Sequence, residues 1–403
     1  MITIYLKPHK EESLLRFHPW VFSGAIRSIQ LDKDYPYDSP KEGEIVQVVD
    51  SKGKVLGVGH YQIGSIAVRI LAFGIDHLPI NFWNSCITSA YQVRCNLGLI
   101  STKNNTYRLV HGEGDFLPGL IVDIYADTAV IQAHSIGMHY HRNEIAKAIV
   151  EVVPQVDKVY YKSDDTLPHK APIEGDRVGY LVGGDLADFN DDFWARENDL
   201  EFRIDWLKGQ KTGFFIDQRN NRALLEYYAK GKDVLNMFCY TGGFSVYALR
   251  GGAKMVDSVD ISQKAIDLVR SNVVRNFGEN APHRAYAEEA FEFLAKTQNK
   301  YDLIVLDPPA FAKHRDAVKN ALRGYQRLNA KGIQSIRPGG ILFTFSCSQA
   351  IDKDMFRLAV FSAAAQVGRK VRILHQLHQP ADHPINIYHP EGEYLKGLVL
   401  QIE

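Results

Sequence analysis

The chain has no run of about 18 apolar residues, the length a membrane-spanning helix needs. Its opening, MITIYLKPHKEESLLRFHPW, lacks the basic stretch and apolar core of a secretory signal. Both absences point to a cytoplasmic protein, neither membrane-bound nor secreted. Cysteine is scarce: Cys86, Cys95, Cys239 and Cys347 stand far apart, with no CxxC pair and no histidines at ligand spacing. A disulfide framework and a metal site are therefore not expected, and each thiol is expected to be reduced. Internal repeats and low-complexity tracts are also missing, so solenoids and disordered tails drop out.

Net charge is the last absence. Forty-seven basic residues balance 47 acidic ones, so no global basic excess advertises nucleic-acid binding, and local charge has to carry that reading. It is segregated. Residues 181–205 hold eight acids (Asp185, Asp188, Asp191, Asp192, Glu197, Asp199, Glu201, Asp205) against Arg196 and Arg203, whereas residues 313–337 hold seven bases against Asp316. Lys7, His9, Lys10, Arg16 and Arg27 near the start are almost balanced by acids.

What is present is enough apolar sequence, 45% of 403 residues, for two or three packed domains. Residues 1–75 read as a small β-rich module, with ITIYL, GEIVQVVD, VLGVGHYQ and IAVRILAF as strands between glycine turns. Residues 76–185 read as an α+β domain. It has a helix over 81–94, two β-rich runs flanking a Gly/Pro turn in YRLVHGEGDFLPGLIVDIYADTAVIQAHS, a helix over 138–152 and the strand DKVYYKS. The acidic stretch reads as a linker. From residue 186 the short apolar strands DVLNMFCY, MVDSVDI, YDLIVLDPP and GGILFTFSCS alternate with helical segments, predicting an α/β, doubly wound, Rossmann-like domain to residue 403.

Three features of this last domain point to a nucleoside-containing cofactor. DVLNMFCY runs into Thr241-Gly242-Gly243 and a helix, so backbone amides can approach a ligand closely. Asp260 ends the next strand, 18 residues beyond Gly242, where a carboxylate can accept from ribose hydroxyls. Asp307-Pro308-Pro309 must terminate its strand, because proline cannot donate to a sheet, and this leaves Asp307 at the carboxyl edge.

Several strings make the match narrower: HPWVFSG at 18–24, HGEGDFLPGLIVD at 111–123, KTGFFIDQRNNR at 211–222, NMFCYTGGF at 236–244, DPPAFAK at 307–313, FSCSQAI at 345–351, DHP at 382–384 and EYLK at 393–396. Together they resemble the bacterial family of large-subunit ribosomal RNA cytosine-5 methyltransferases over almost the whole chain. The resemblance implies an N-terminal, barrel-like PUA domain that binds RNA, an α+β middle domain and a catalytic domain using S-adenosylmethionine. It implies that Phe215, Gln218, Asn236, Phe238, Gly242 and Asp260 line the cofactor pocket. Glu289 stands where the acid after the third strand is expected to meet the adenine. Phe238 and Tyr240 occupy positions that hold glycine in methyltransferases at large.

Cytosine carbon 5 is a poor nucleophile until a thiolate adds at carbon 6, so the chemistry calls for a placed cysteine. Cys347 follows the apolar strand GGILFTF at the edge that bears Asp307, and Asp307 is expected to hydrogen-bond the base and stabilise its protonation. Cys239 is expected to pack. Lys319, Arg323, Arg327 and Lys331, four residues apart, form a helical stripe for RNA phosphates, with Leu322, Tyr325 and Ile336 towards the opposite side. Two other readings stand beside this one: a methyltransferase for another ribosomal base such as guanine N7, and a non-catalytic RNA-binding assembly factor. Ribosomal RNA is the expected partner in the favoured reading. The modified nucleotide, and whether the chain works alone or as a homodimer, are left open.

Overall fold

A computed structural model of the chain describes residues 1–168, 173–185, 192–312 and 315–403. The acids Asp188 and Asp191 and the base Lys313 lie outside the described residues. Two compact units form. The first holds Met1–Asp191, Asp205–Phe214 and Ala381–Gly392, and the second holds Asp192–Ile204, Phe215–Pro380 and Glu393–Glu403. No helix among the described residues is long and apolar enough to cross a membrane.

In the first unit, alternating apolar residues build a six-stranded sheet: β1 (Ile2–Leu6), β2 (Trp20–Phe22), β3 (Ile26–Gln30), β4 (Ile45–Val49), β5 (Val55–Tyr61) and β6 (Ile66–Phe73), with α1 (Glu12–Leu15) after β1. Strand order is β2-β6-β5-β4-β1-β3. Ile2, Ile4 and Leu6 alternate into the core with Val46, Val48 and Val68. The strands β2 and β3 lie in HPWVFSGAIRSIQ, where no strand was expected.

A second sheet follows α2 (Phe82–Asn96). It contains β7 (Thr106–His111), β8 (Leu120–Tyr125), β9 (Thr128–Ala133), β10 (Lys158–Lys162) and β11 (Val178–Val182), ordered β11-β10-β9-β8-β7. The expected second β run is two strands: Ala126, at φ +51°, turns β8 tightly into β9 without a glycine to announce it. Likewise the expected helix over 138–152 is two, α3 (Ile136–Tyr140) and α4 (Arg142–Val152), which meet at a non-helical His141.

Three of the quoted strings come together in this unit. The Trp20 indole donates to Glu113 at 2.9 Å and stacks edge-on against His389, and Arg94 donates to Asp115 and to the Asp382 carbonyl. A Cβ on Gly114 would lie 1.9 Å from the Pro384 carbonyl oxygen. The glycine is therefore a packing requirement.

In the second unit the acidic segment is not merely a linker. It forms the hairpin β12 (Trp194–Glu197) and β13 (Leu200–Arg203), and Glu201 pairs with Arg196 and Arg275. After α5 (Arg219–Tyr228) come β14 (Asp233–Met237), α6 (Gly243–Arg250), β15 (Met255–Asp260), α7 (Gln263–Phe277), β16 (His283–Ala287), α8 (Ala290–Ala295), β17 (Tyr301–Leu306), α9 (Val318–Ser335), β18 (Ile336–Ser346), α10 (Lys353–Val367), β19 (Val371–Leu377) and β20 (Lys396–Ile402). The sheet order is β16-β15-β14-β17-β18-β20-β19, with β20 antiparallel to both neighbours and the other pairs parallel. The order reverses between β14 and β17, so ligands are expected at the carboxyl ends of these strands. This is the doubly wound, Rossmann-like sheet.

Candidate active site

At the carboxyl end of β14 the backbone takes a conformation that glycine would adopt more cheaply. Phe238 and Tyr240 sit at φ +58° and +44°, and Gly242 at +78°. Holding two aromatic residues in the left-handed region costs roughly 1–3 kcal/mol each, which the surrounding packing must offset. Gly242 is required twice over, since a Cβ there would also meet Val269 at 2.9 Å. The Gly242 amide donates to the Cys239 carbonyl at 2.7 Å, and α6 starts one residue on. A tight turn that feeds helix-terminal amides toward the sheet edge fits the carboxylate or sugar end of a nucleoside cofactor.

Asp260 braces this turn. Its Oδ2 accepts from the Tyr240 amide and its Oδ1 from the Ser262 amide, both at 3.0 Å. The carboxylate is thus pinned at the end of β15 with lone pairs to spare, as a ribose acceptor must be. Phe215 reaches the same turn, with its ring edge-on to Tyr240 at 5.1 Å. Asn236 sits deeper: it donates to Ser245 on α6, which bonds Ser258 in turn. Among the described residues its buried Oδ1 has no hydrogen-bond partner, an acceptor left for a bound molecule or water. Glu289 is the N-cap of α8, accepting from the Glu292 amide at 2.9 Å. Its carboxylate therefore has a structural task beside the expected contact with adenine.

Asp260→Ala should weaken S-adenosylmethionine binding by roughly ten- to a hundredfold, because removing one partner strands the other groups of a polar contact. Calorimetry reads this directly; unchanged affinity would remove Asp260 from the cofactor site.

The segment behind the turn explains the string KTGFFIDQRNNR. Arg222 donates to Glu197 through Nε and Nη2 (2.9 and 2.7 Å) and to the Phe215 carbonyl (2.9 Å), while Tyr247 adds a third bond to Glu197. A Cβ on Gly243 would meet the Arg222 side chain at 2.9 Å. Glu197, read from sequence as one acid among eight, is thus the buried anchor behind the Gly242 turn. The Gln218 amide donates to Asp307 Oδ2 at 3.0 Å and takes a bond from Asn221 at 2.6 Å. One expected cofactor residue thereby touches the expected acid of the chemical step.

Asp307 and Cys347 follow β17 and β18, adjacent parallel strands. Cys347 Sγ lies 3.9 Å from the Pro308 carbonyl oxygen, so the thiol stands over the Asp-Pro-Pro turn. Its own turn is locked by Ser348, which accepts from the Ala312 amide and shares a hydrogen bond with Tyr325 of α9. Cys239 is different. It is buried, and burial, reinforced by the negative charge of Asp260, holds its thiol well above the ordinary range. It packs, as expected. Burial also pushes Cys86, in the first unit, up to about 11.

The basic stripe is exposed along α9: Lys319, Arg323, Arg327 and Lys331 all face solvent, and Arg327 covers the Phe291 ring at 5.5 Å. Tyr325 and Leu328 are buried on the opposite face and Leu322 is half-buried, but Ile336 belongs to β18, one residue past the helix. Sequence reasoning assigned no role to Lys396, the last residue of EYLK. Its side chain is 5% exposed at the head of β20 and donates to the Ser348 and Ile351 carbonyls of the Cys347 turn. The signal was available as a lysine opening an otherwise apolar strand, KGLVLQI.

Comparison with known proteins agrees with this geometry. The S-adenosylmethionine-dependent methyltransferase family matches residues 178–392, and the PUA-like domain matches residues 4–73. The ribosomal RNA large subunit methyltransferase I of Tolumonas auensis is 39% identical over 99% of both chains. The protein of the same name from Alteromonas mediterranea is 38% identical over 99% of this chain and 98% of its own. Among solved structures, an S-adenosylmethionine-dependent methyltransferase from Streptococcus mutans superposes with a TM-score of 0.82 at 22% identity, and a methyltransferase complexed with S-adenosylhomocysteine (SAH) with 0.83 at 23%, each over 100% of both chains. These two establish the shared fold. The chain belongs to the S-adenosylmethionine-dependent methyltransferases, in the family of the ribosomal RNA large subunit methyltransferases I, with a PUA-like domain at its N-terminus.

Proposed function

We propose that the protein forms 5-methylcytosine in the large-subunit ribosomal RNA, with Cys347 as the covalent nucleophile and Asp307 as the acid that serves the base. The observation that carries this reading is the placement of Cys347 over the Asp307-Pro308 turn. Methylation of a ring nitrogen such as guanine N7 needs no thiol there.

S-adenosylmethionine, when bound at the β14 turn, supplies an electrophilic methyl group. Phe215, Gly242 and Asp260 would hold it, with Asn236 behind them. The Cys347 thiolate adds to carbon 6, and Asp307, protonated, donates to the ring nitrogen so that the negative charge does not build up there. Carbon 5 then carries enamine character and can take the methyl group. Loss of the carbon 5 proton to a base expels Cys347 as the thiolate, the ring nitrogen returns its proton to Asp307, and the ring is restored. Gln218 keeps Asp307 oriented throughout by donating to one oxygen. The nucleotide must leave its stack to enter, at a cost of a few kcal/mol, and phosphate contacts are expected to offset it.

The stripe on α9 suits that task, and its helix is tied to the Cys347 turn through Tyr325 and Ser348. Replacing Arg323 and Arg327 with Ala should weaken RNA binding and flatten the dependence of log affinity on log salt by roughly 0.7 per lost single-strand phosphate contact. Cofactor affinity should not move. An unchanged salt slope would make the stripe a solvated face only.

The whole reading is tested by mass-spectrometric mapping of ribosomal RNA from cells with and without the gene. A single 5-methylcytosine should disappear from the large-subunit RNA. Loss of a methylguanine in its place would favour the other methyltransferase reading, and an unchanged map the assembly-factor reading.

A further inference from the structure

We propose that Lys396 is a positioning residue for the nucleophile: its ammonium clamps the Cys347 turn and supplies the positive charge that favours the thiolate. This rests on Cys347 being the nucleophile.

The geometry is specific. Lys396 Nζ donates to the Ser348 carbonyl at 2.7 Å and to the Ile351 carbonyl at 2.6 Å. Those carbonyls lie one and four residues beyond Cys347, so one ammonium closes the loop that follows the thiol. The stem is fixed as well, because Lys396 pairs with Ser346 in the β18–β20 ladder, directly beside the end of the strand that presents Cys347. A buried lysine is rare and costly unless something uses its charge. Two carbonyl acceptors take two of its three donors and bring no formal charge, so a neutral donor would have met them at less cost and the ammonium relies on anionic neighbours.

The electrostatics agree. Burial lowers the Lys396 ammonium to about 8, and the largest opposing influence is the charge of Cys347, ahead of Glu393 and Asp352. Coupling between two titrating groups is reciprocal. If the thiolate holds the proton on Lys396, the ammonium must ease the loss of the proton from Cys347 by the same amount, with that proton passing to water. The charged surroundings are mixed in sign: a cavity of about 200 Å³ beside Lys396 is lined by Lys353, Arg357 and His378 together with Asp354 and Glu393. Cys239 and Cys86 have no such cation among the causes of their shifts, and both are pushed up.

The test is the pH dependence of Cys347 alkylation by iodoacetamide on the full-length protein, read peptide by peptide by mass spectrometry. The wild-type midpoint should fall below the ordinary thiol value of about 8.5. In Lys396→Met it should rise by about one unit or more, a tenfold loss of thiolate at neutral pH, while Lys396→Arg should restore most of it. In turnover, Lys396→Met should lower kcat with little change in the KM for RNA, and raising the pH should recover part of the loss. Binding of S-adenosylhomocysteine reports whether each variant is folded. If Lys396→Met does not fold, the wild-type and Lys396→Arg midpoints decide. A wild-type midpoint at or above the ordinary value, or a Lys396→Met midpoint that coincides with it, overturns the proposal. Alkylation needs neither RNA nor methyl transfer, so this failure is distinct from failure of the nucleophile assignment, which the adduct with a substituted cytosine reports separately.

Discussion

Cys347→Ala should abolish turnover, by roughly 10³-fold or more, while S-adenosylmethionine and RNA bind as before. The thiol contributes only along the reaction path, and an interaction made only there is lost from kcat rather than from binding. The fold should survive. The hydrogen bonds by which Ser348, Tyr325 and Lys396 hold the turn around Cys347 run to hydroxyl, amide and carbonyl groups and do not pass through the sulfur. Cys239→Ala is the control: its buried thiol lies in the turn braced by Asp260, so its removal should cost stability or cofactor affinity and leave the chemical step in place. Single-turnover methylation assays on both variants separate these outcomes. Full activity in Cys347→Ala would favour transfer to a ring nitrogen.

Asp307→Asn should lower kcat by roughly 10²–10³-fold, the usual cost of losing a placed donor at a site of developing charge. Asparagine has the same shape and still offers Gln218 an acceptor oxygen, so the Gln218–Asp307 contact at 3.0 Å can persist. What it cannot do is hand a proton to the ring nitrogen as carbon 6 is attacked. Cofactor affinity should stay within about a factor of two or three, since the change conserves shape and keeps the contact with Gln218. A variant with wild-type kcat would show that the base needs no proton from this position. The reading would then keep Cys347 and lose its acid.

How far the sequence speaks depends on how local the signal is. The apolar strands ending at Met237, Asp260 and Leu306 were legible because buried parallel strands are short continuous apolar runs with turns between them. Gly242 and Asp307 were legible for related reasons: a glycine before a helix and a proline pair after a strand each have a backbone cause. The strain at Phe238 and Tyr240 was not. An aromatic residue at positive φ has no local marker, and it is held there by the Asp260 bond to the Tyr240 amide and by packing from Phe215. Glu197 was hidden by its company, since a run of acids reads as solvated until the fold carries one of them under Arg222. Lys396 was overlooked for a like reason: a lysine at the end of a strand is ordinarily exposed, and only strand pairing turns it inward beside Cys347. The strings in the first unit carried the family resemblance through the packing of that unit. Gly114 serves packing, Asp115 pairs with the buried Arg94, and the Asp382 carbonyl accepts from the same guanidinium.

Covalent attack by Cys347 at cytosine carbon 6 is the central claim, and RNA carrying 5-fluorocytosine at the target position tests it most directly. Fluorine cannot leave as a proton does, so the ring, once methylated, cannot expel the thiol. The wild-type protein incubated with this RNA and S-adenosylmethionine should give a protein–RNA adduct that survives denaturation, maps by peptide mass spectrometry to Cys347 and is absent from Cys347→Ala. A wild-type protein that methylates the normal RNA yet leaves the fluorinated RNA free, or an adduct on any other residue, would contradict the account.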